Sequence, residues 1–223
     1  MQLSVIVPTY NEADGIQTFL NALAPLRARG HEIIVADSSS DQTAALAAPL
    51  ANKVIHVPKG RAAQMNAGAA IAKNPVLLFL HADTFLPENA DQLITGALLN
   101  ENLWGRFDVT LQGQHKFLKL VAWAMNLRSR ISGIATGDQA MFVTRELFQQ
   151  VNGFPTIALM EDIALSRKLR GHSAPACLRA KVVSSGRRWD KHGLWRTIFF
   201  MWRLRLAYFF GADPQLLARR YQG

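Results

Sequence analysis

Acidic side chains recur in this 223-residue chain just after runs of apolar residues. Asn11 and Glu12 follow "LSVIVPTY", Asp37 and Ser38 to Asp41 follow "HEIIVA", and His81, Ala82 and Asp83 follow "PVLLFL". Carboxylates and an imidazole at such places can hold a cation, accept hydrogen bonds from a ligand or move a proton. They can equally do no more than end a strand. A further pair, Glu161 and Asp162, opens "MEDIALSRKLRG", where acids come first and bases last. That order suits proton transfer at a helix N-terminus, and the helix dipole alone would also explain it. Late in the chain stand Arg187, Arg188, Trp189 and His192, a basic and aromatic run.

The elements that must position these residues are legible in the first half. "LSVIVPTY", "HEIIVAD", "NKVIHVP" and "PVLLFL" are short apolar runs bounded by turn residues, and they read as strands. Helical patterns separate them: "NEADGIQTFLNALAPLRARG" ending near Gly30, part of "QTAALAAPLA", and the small-residue stretch "GRAAQMNAGAAIAKN". Strands alternating with helices predict a parallel sheet covered on both faces. In such sheets ligands collect beyond the carboxyl ends of the strands. Parallel topology would therefore bring the three polar clusters to one rim. The second half is more mixed. "LWGRFDVTL" reads as a strand, "HKFLKLVAWAMNLRSRISG" as an amphipathic helix, "GDQAMFVTRELFQQVNGF" as a short strand and a helix, and "AKVVSSGRRWDKHG" as a strand and loop.

Size and composition allow one domain with at most an appendage. A lone cysteine, Cys177, excludes a disulfide framework and a cysteine zinc site. "MQLSVIVPTYNE" has no basic leader and too short an apolar run for a signal peptide, so a cytoplasmic location is expected. The net charge of +9 is unevenly placed: thirteen Lys and Arg against two Asp and Glu lie from Ser166 onward, leaving the rest slightly acidic. Such a tail attracts phosphate groups, anionic lipid or nucleic acid. Arg196, Arg203 and Arg205 interrupt "LWRTIFFMWRLRLAYFFG" too often for a membrane-spanning helix. Arg205 falls away from the face shared by Arg196 and Arg203, so packing on the domain and binding at a membrane surface both stay open.

Six motifs in order make the chain resemble the family 2 glycosyltransferases with the GT-A fold. They are "VIVPTYNE", "ADSSSDQT", "GRAAQMNAGAA", "HAD", the Gly153-Phe154 and Glu161-Asp162 pairs, and Arg188-Trp189. Ala36, Ser38 and Gln42 depart from the family's second motif, and His81 stands where its Asp-x-Asp begins. In this the chain is similar to a short bacterial subgroup carrying "HAD". The resemblance implies an α/β, Rossmann-like fold of the nucleotide-diphospho-sugar transferases. Its central sheet would be mostly parallel and flanked by helices, with a helical basic C-terminal tail. It implies a glycosyltransferase domain over 1–193, with a donor half of about 1–105 and an acceptor half of about 106–193. A helical extension, 194–223, would pack on the domain or lie at a membrane surface.

The activity so implied is inverting transfer from a nucleotide-diphosphate sugar, UDP being the commonest family choice, to a hydroxyl acceptor. The departing diphosphate needs positive charge against it, which a divalent cation, Mn²⁺ or Mg²⁺, can supply. Asp83 is the expected metal ligand, with His192 a further candidate. His81 is expected to bond the nucleotide or to orient Asp83. Pro8, Tyr10, Glu12, Asp37, Arg61, Asn66 and Ala82 are expected around the donor, with Arg187, Arg188 and Trp189 closing over its diphosphate. Asp162 is the expected base, helped by Glu161. The expected acceptor is lipid-linked or hydrophobic and met at an anionic membrane surface, the inner face of the membrane; nucleic acid is not expected. Two other readings remain: a sugar nucleotidyltransferase, whose glycine- and arginine-rich loop "PTYNEADG" lacks, and a non-catalytic basic module that binds membrane or nucleic acid through a degenerate donor site.

Overall fold

The computed structural model describes residues 1–222, apart from the side chains of Arg188, His192 and Gln222. Eight strands form one sheet: β1 (Leu3–Thr9), β2 (Glu32–Asp37), β3 (Lys53–His56), β4 (Val76–Phe79), β5 (Thr84–Phe85), β6 (Trp104–Gln112), β7 (Met141–Thr144) and β8 (Ala176–Ser185). Their spatial order is β3-β2-β1-β4-β7-β6-β8-β5. The helices are α1 (Ile16–Ala22), α2 (Ala24–Ala28), α3 (Thr43–Ala47), α4 (Arg61–Ile71), α5 (Ala90–Leu99), α6 (Leu118–Ser132), α7 (Arg145–Gln150), α8 (Glu161–Arg170), α9 (Arg187–His192), α10 (Leu194–Phe209) and α11 (Pro214–Gln222). A 3₁₀ turn, Gly137–Gln139, precedes β7. The 186–193 segment, expected as a loop, is largely the short helix α9. Strand β5 and helix α5 complete the stretch after "HAD".

The apolar runs form strands covered on both faces, and their residues alternate between two cores. Leu3, Val5 and Val7 of β1 and Val76 and Leu78 of β4 pack on one side, where α1, α5 and α6 contribute Phe19, Ile94 and Leu118. Ile6, Leu77 and Phe79 point to the other side, against Met65 of α4 and Leu165 and Leu169 of α8. Pairing is parallel through β3, β2, β1 and β4, and again between β6 and β8. Strand β7 runs antiparallel to both β4 and β6, and β5 runs antiparallel to β8. The chain ends of β1, β2, β4, β6 and β8 therefore share one rim, and the start of β7 lies there too.

The connection from β4 to β5 fixes the shape of the sheet. These strands stand four places apart, about 19 Å in a flat sheet at ~4.8 Å per step. The five residue steps from Phe79 to Thr84 could reach about 17 Å if fully extended. They are not extended, because the Thr84 amide turns back to the His81 carbonyl at 3.0 Å. The sheet must curl until its far edge meets its middle, and His81, Ala82 and Asp83 form the short chord across the opening.

Strand β6 is held by α6 where β7 stops. Strand β7 reaches only Trp104 and Gly105. Beyond them the Asn126 amide donates to the Val109 carbonyl at 2.9 Å and accepts from its N–H at 2.8 Å, standing in for a strand partner. Next to it Arg106, fully buried, pairs with Asp108 and donates to Ser129 and to the Asn126 carbonyl. A buried guanidinium is tolerable only with such complete pairing. Replacing Asn126 by Leu leaves both Val109 backbone groups buried without partners. It is expected to cost about 2–4 kcal/mol, read as a lower urea midpoint at unchanged slope.

Candidate functional site

The rim carries two charged clusters. The first surrounds Asp83. Glu12 lies just past β1, where Asn11 adopts a left-handed backbone (φ 54°) fixed by hydrogen bonds to Ser39 and Ser40. Asparagine tolerates this conformation better than most residues do. Asp83 sits on the chord, its carbonyl accepting from the Ser185 amide at 3.2 Å. Arg187 follows β8, and its guanidinium stands 3.5 Å from both the Glu12 and Asp83 carboxylates. Ala82, Phe85, Gln112 and Ser184 help line this pocket of about 340 Å³. Burial raises the Glu12 carboxyl above its ordinary range; Arg187 draws it down and the Asp83 charge pushes it up. Two carboxylates converging on one exposed guanidinium form a seat for a cation. Among the described residues, however, no group of three or more His, Cys, Asp or Glu side chains could hold a metal ion. The two carboxylates could supply at most part of the oxygen shell of a divalent cation, whose other ligands would have to come from water and phosphate.

The second cluster lies where β7 begins. Antiparallel pairing sets Met141 opposite Phe79, so the turn before β7 meets the residues after β4. His81 Nδ1 consequently faces Asp138 Oδ1 at 3.4 Å. His81 is expected to bond the nucleotide or to orient Asp83; the side chain that the register of β7 sets against its ring is Asp138. A side chain at Gly137 would meet the His81 ring at 2.3 Å, so only glycine lets the imidazole lie there. The Gly137 N–H donates to Asp162 Oδ2 at 3.0 Å, and the Ile163 N–H donates to Asp162 Oδ1 at 2.7 Å. Ala140 and Met160, flanking these segments, both have positive φ (46° and 69°), a conformation that costs such residues about 1–2 kcal/mol. Strain of this kind clusters at functional sites.

The charges here are set against one another. Burial raises Asp162 above the ordinary aspartate range, and its two N–H bonds and Arg61 only partly offset this. Burial, then the charge of Asp162, raises Glu161. Burial would raise Asp138 too, but the His81 contact and the charges of His81, Arg61 and Arg128 hold it below the usual range. Burial would lower the Arg61 guanidinium, yet Glu161, Tyr221, Asp138 and Asp162 more than reverse that. Burial draws Arg128 down against the pull of Asp162 and Asp138, and its Nε and Nη2 are buried without a hydrogen-bond partner among the described residues.

The other expected site residues fall as follows. Pro8 is half-buried in β1, and exposed Tyr10 lies beneath Lys59, whose ammonium is 3.7 Å from the ring centre. Asp37 is buried and accepts from Thr9 and Ser39, tying the ends of β1 and β2 together. The Asn66 amide donates to the Phe154 carbonyl and accepts from its N–H, so both its ends are engaged within the fold. Arg61 stands with the second cluster and not the first. Trp189 packs against the core. The side chains of Arg188 and His192 lie outside the described residues.

Sequence reasoning missed Asp138, Arg128 and Gln64. Asp138 gains its place only through the pairing of β7. Arg128 continues a half-buried flank of α6 with Val121 and Met125, at helical spacing that the sequence does display. Gln64 is buried and donates to the carbonyls of Thr9 and Ala36, locking α4 beneath the rim.

Comparison with known proteins agrees with this architecture. The chain is similar to Staphylococcus aureus TarS 1–349 (22% identity, TM-score 0.63), covering 83% of this chain and 60% of that one. It is similar to the mannosyltransferase PcManGT from Pyrobaculum calidifontis in complex with GDP-Man and Mn²⁺ (24%, TM-score 0.65), covering 92% and 61%. It is also similar to glucosyl-3-phosphoglycerate synthase from Mycobacterium tuberculosis in complex with Mn²⁺, UDP and phosphoglyceric acid (18%, TM-score 0.65), covering 95% and 79%. The chain thus spans about 60% of the length of TarS 1–349. No curated protein sequence matches it. These likenesses show the GT-A fold. Residues 4–141, more than half of the chain, match the model of "Glycosyl transferase family 2", and the chain belongs to that family.

Proposed function

We propose that the protein is an inverting glycosyltransferase that moves a sugar from a nucleotide-diphosphate sugar to a hydroxyl acceptor. The observation that carries this reading is the pairing of two unlike clusters on one rim: a cation seat at Glu12, Asp83 and Arg187, and a half-buried carboxylate, Asp162, beyond His81. Family membership supports it, as do the GDP-Man and the UDP named in two of the similar structures. In this reading about 1–105 binds the donor, with Tyr10 beside the base and UDP the expected nucleotide. About 106–193 binds the acceptor, and 194–223 is an extension. A cytoplasmic location, at the inner face of the membrane, belongs to the same reading.

Asp162 is the proposed base. The acceptor hydroxyl oxygen attacks the anomeric carbon, its proton passes to a carboxylate oxygen of Asp162, and the bond to the diphosphate oxygen breaks. One displacement with one base inverts the anomeric carbon. The two N–H donors fix the carboxylate's orientation, burial and the nearby Asp138 charge keep it basic, and Glu161 stands beside it as the helper. Asp83, with Glu12 beside it, would hold the divalent cation, Mn²⁺ or Mg²⁺, which supplies positive charge against the departing diphosphate. Arg187 adds fixed charge on the same side. Arg61 and Arg128 balance the acid-rich acceptor side.

A thermal-shift screen with UDP-, GDP- and dTDP-sugars, each with and without Mn²⁺, is the primary test. Stabilisation by at least one donor is expected, and a uniform lack of response would favour the non-catalytic module. Asp83→Ala should abolish metal-stimulated donor hydrolysis or transfer; full activity in that variant would refute the assignment. Asp162→Asn should lower kcat about 10²–10⁴-fold while leaving donor-induced stabilisation in place. Because Asp162 must be ionised to accept a proton and burial raises it, activity should fall as pH drops through a point above the ordinary aspartate value of about 3.9. A pH–rate profile whose acid limb lies at or below that value would contradict Asp162 as base.

A further inference from the structure

The outer faces of α6 and α10 carry an apolar surface that nothing among the described residues covers. On α6, Leu120, Trp123, Leu127 and Ile131 recur at three- and four-residue spacing and are exposed, Trp123 by 60% and Ile131 by 78%. On α10, Trp195, Phe199, Trp202, Leu206 and Phe209 do the same, with Trp202 exposed by 71%. The two stripes meet where the helices begin: the rings of Phe117 and Trp195 are 6.5 Å apart. Counting Phe210, eleven large apolar side chains are exposed on these two helices and their starts, and the Phe117–Trp195 contact links the two stripes. Isolated exposed apolar residues are ordinary, but a joined patch of this extent marks an interaction surface.

The inward sides of the same helices are already used. Leu118, Ala122, Asn126 and Ser129 bury α6 against the sheet. Leu204 of α10 joins Leu217 of α11 against Met160 and Ile163 at the start of α8. The exposed stripe of α10 is therefore additional to its packing. Its arginines sort accordingly: Arg196 and Arg203 border the stripe on one edge, while half-buried Arg205 lies at the other. From sequence, Arg205 broke the segregation of charge; in the folded chain the aromatic stripe lies between the arginines. Neither α6 nor α10 contains an acidic residue. Lys116 and Lys119 border the α6 stripe and are exposed.

We propose that this two-helix face docks on an anionic lipid bilayer, lying in the interface and not crossing it. Helix α10, at 16 residues, is about 24 Å long, short of the ~30 Å hydrocarbon core. No helix among the described residues is long and apolar enough to span. Tryptophan and phenylalanine between flanking arginines and lysines suit the boundary of headgroups and acyl chains, and the basic edge suits anionic lipid. A second copy of the chain fits poorly, because self-association would set two cationic edges together with no acid on either helix to pair them. Arg128, on the inner flank of α6, feels the charges of Asp138 and Asp162, so the acceptor-side carboxylates lie close behind the docked helix. This placement deepens the proposed function by favouring an acceptor whose hydroxyl is presented at a membrane surface.

Flotation of the full chain with vesicles tests the docking with no donor or acceptor present, so its result is independent of the proposed reaction. Wild type should float with phosphatidylcholine vesicles containing phosphatidylglycerol, float less without it, and be released as salt rises. The double variant Trp123→Ser/Trp202→Ser should bind at least about tenfold more weakly, at an unchanged thermal midpoint, since both side chains are exposed. Arg196→Glu/Arg203→Glu should lose the preference for anionic vesicles. Failure of wild type to float at low salt would overturn the proposal. So would sedimentation as a dimer that the tryptophan substitutions dissociate and that vesicles do not disrupt.

Discussion

The geometry of the whole rim follows from one limit of chain length. Residues 80–83 must join the middle of the sheet to its outermost strand, and they can do so only if the sheet closes on itself. Once it is curled, the ends of β1, β4 and β8 face each other across a narrow opening. Glu12, Asp83 and Arg187 come from these three ends and meet at ion-pair distance although 175 residues separate the first from the last. A flat sheet of the same strands would leave them apart. The order of strands, more than any single side chain, makes this pocket.

A second constraint acts at β7. Its reversed direction places a turn where a parallel neighbour would have placed a strand beginning on the opposite edge. That turn brings Asp138 to His81 and aims the Gly137 N–H at Asp162, joining residues 81, 137 and 162 into one unit. Packing supports it from outside, since α10 and α11 cover Met160 and Ile163. The C-terminal helices thus contribute to the site without supplying its carboxylates. The left-handed backbone at Met160 is held by that packing.

How much of this the sequence disclosed depends on the range of the interactions. The first four strands, their parallel order and the gathering of Glu12, Asp37 and Asp83 could be read from local apolar runs and the rule for strand ends. The acids at the start of α8 were equally plain. Asp138 was not, because its role arises from an antiparallel pairing across more than sixty residues that leaves no local pattern. Asn66 and Asp37 show the converse: they stand within recognisable motifs, yet their polar atoms hold neighbouring segments together. Motif spacing reports that a polar residue is required, but not whether the fold or a ligand uses its hydrogen bonds. Arg205 teaches a related lesson, since a helical wheel needs the core direction before its charges can be sorted.

Arg187 gives the pocket at Asp83 a property of its own. Its guanidinium, two-thirds exposed, stands 3.5 Å from both the Glu12 and the Asp83 carboxylates and offsets part of their combined charge. The resting pocket therefore carries its own counter-ion on a flexible tether. In the proposed reaction that tether would give the guanidinium two places to sit, on the carboxylates when the pocket holds no donor and on phosphate oxygens when a cation takes its place, so the acids would keep a positive group beside them in either case.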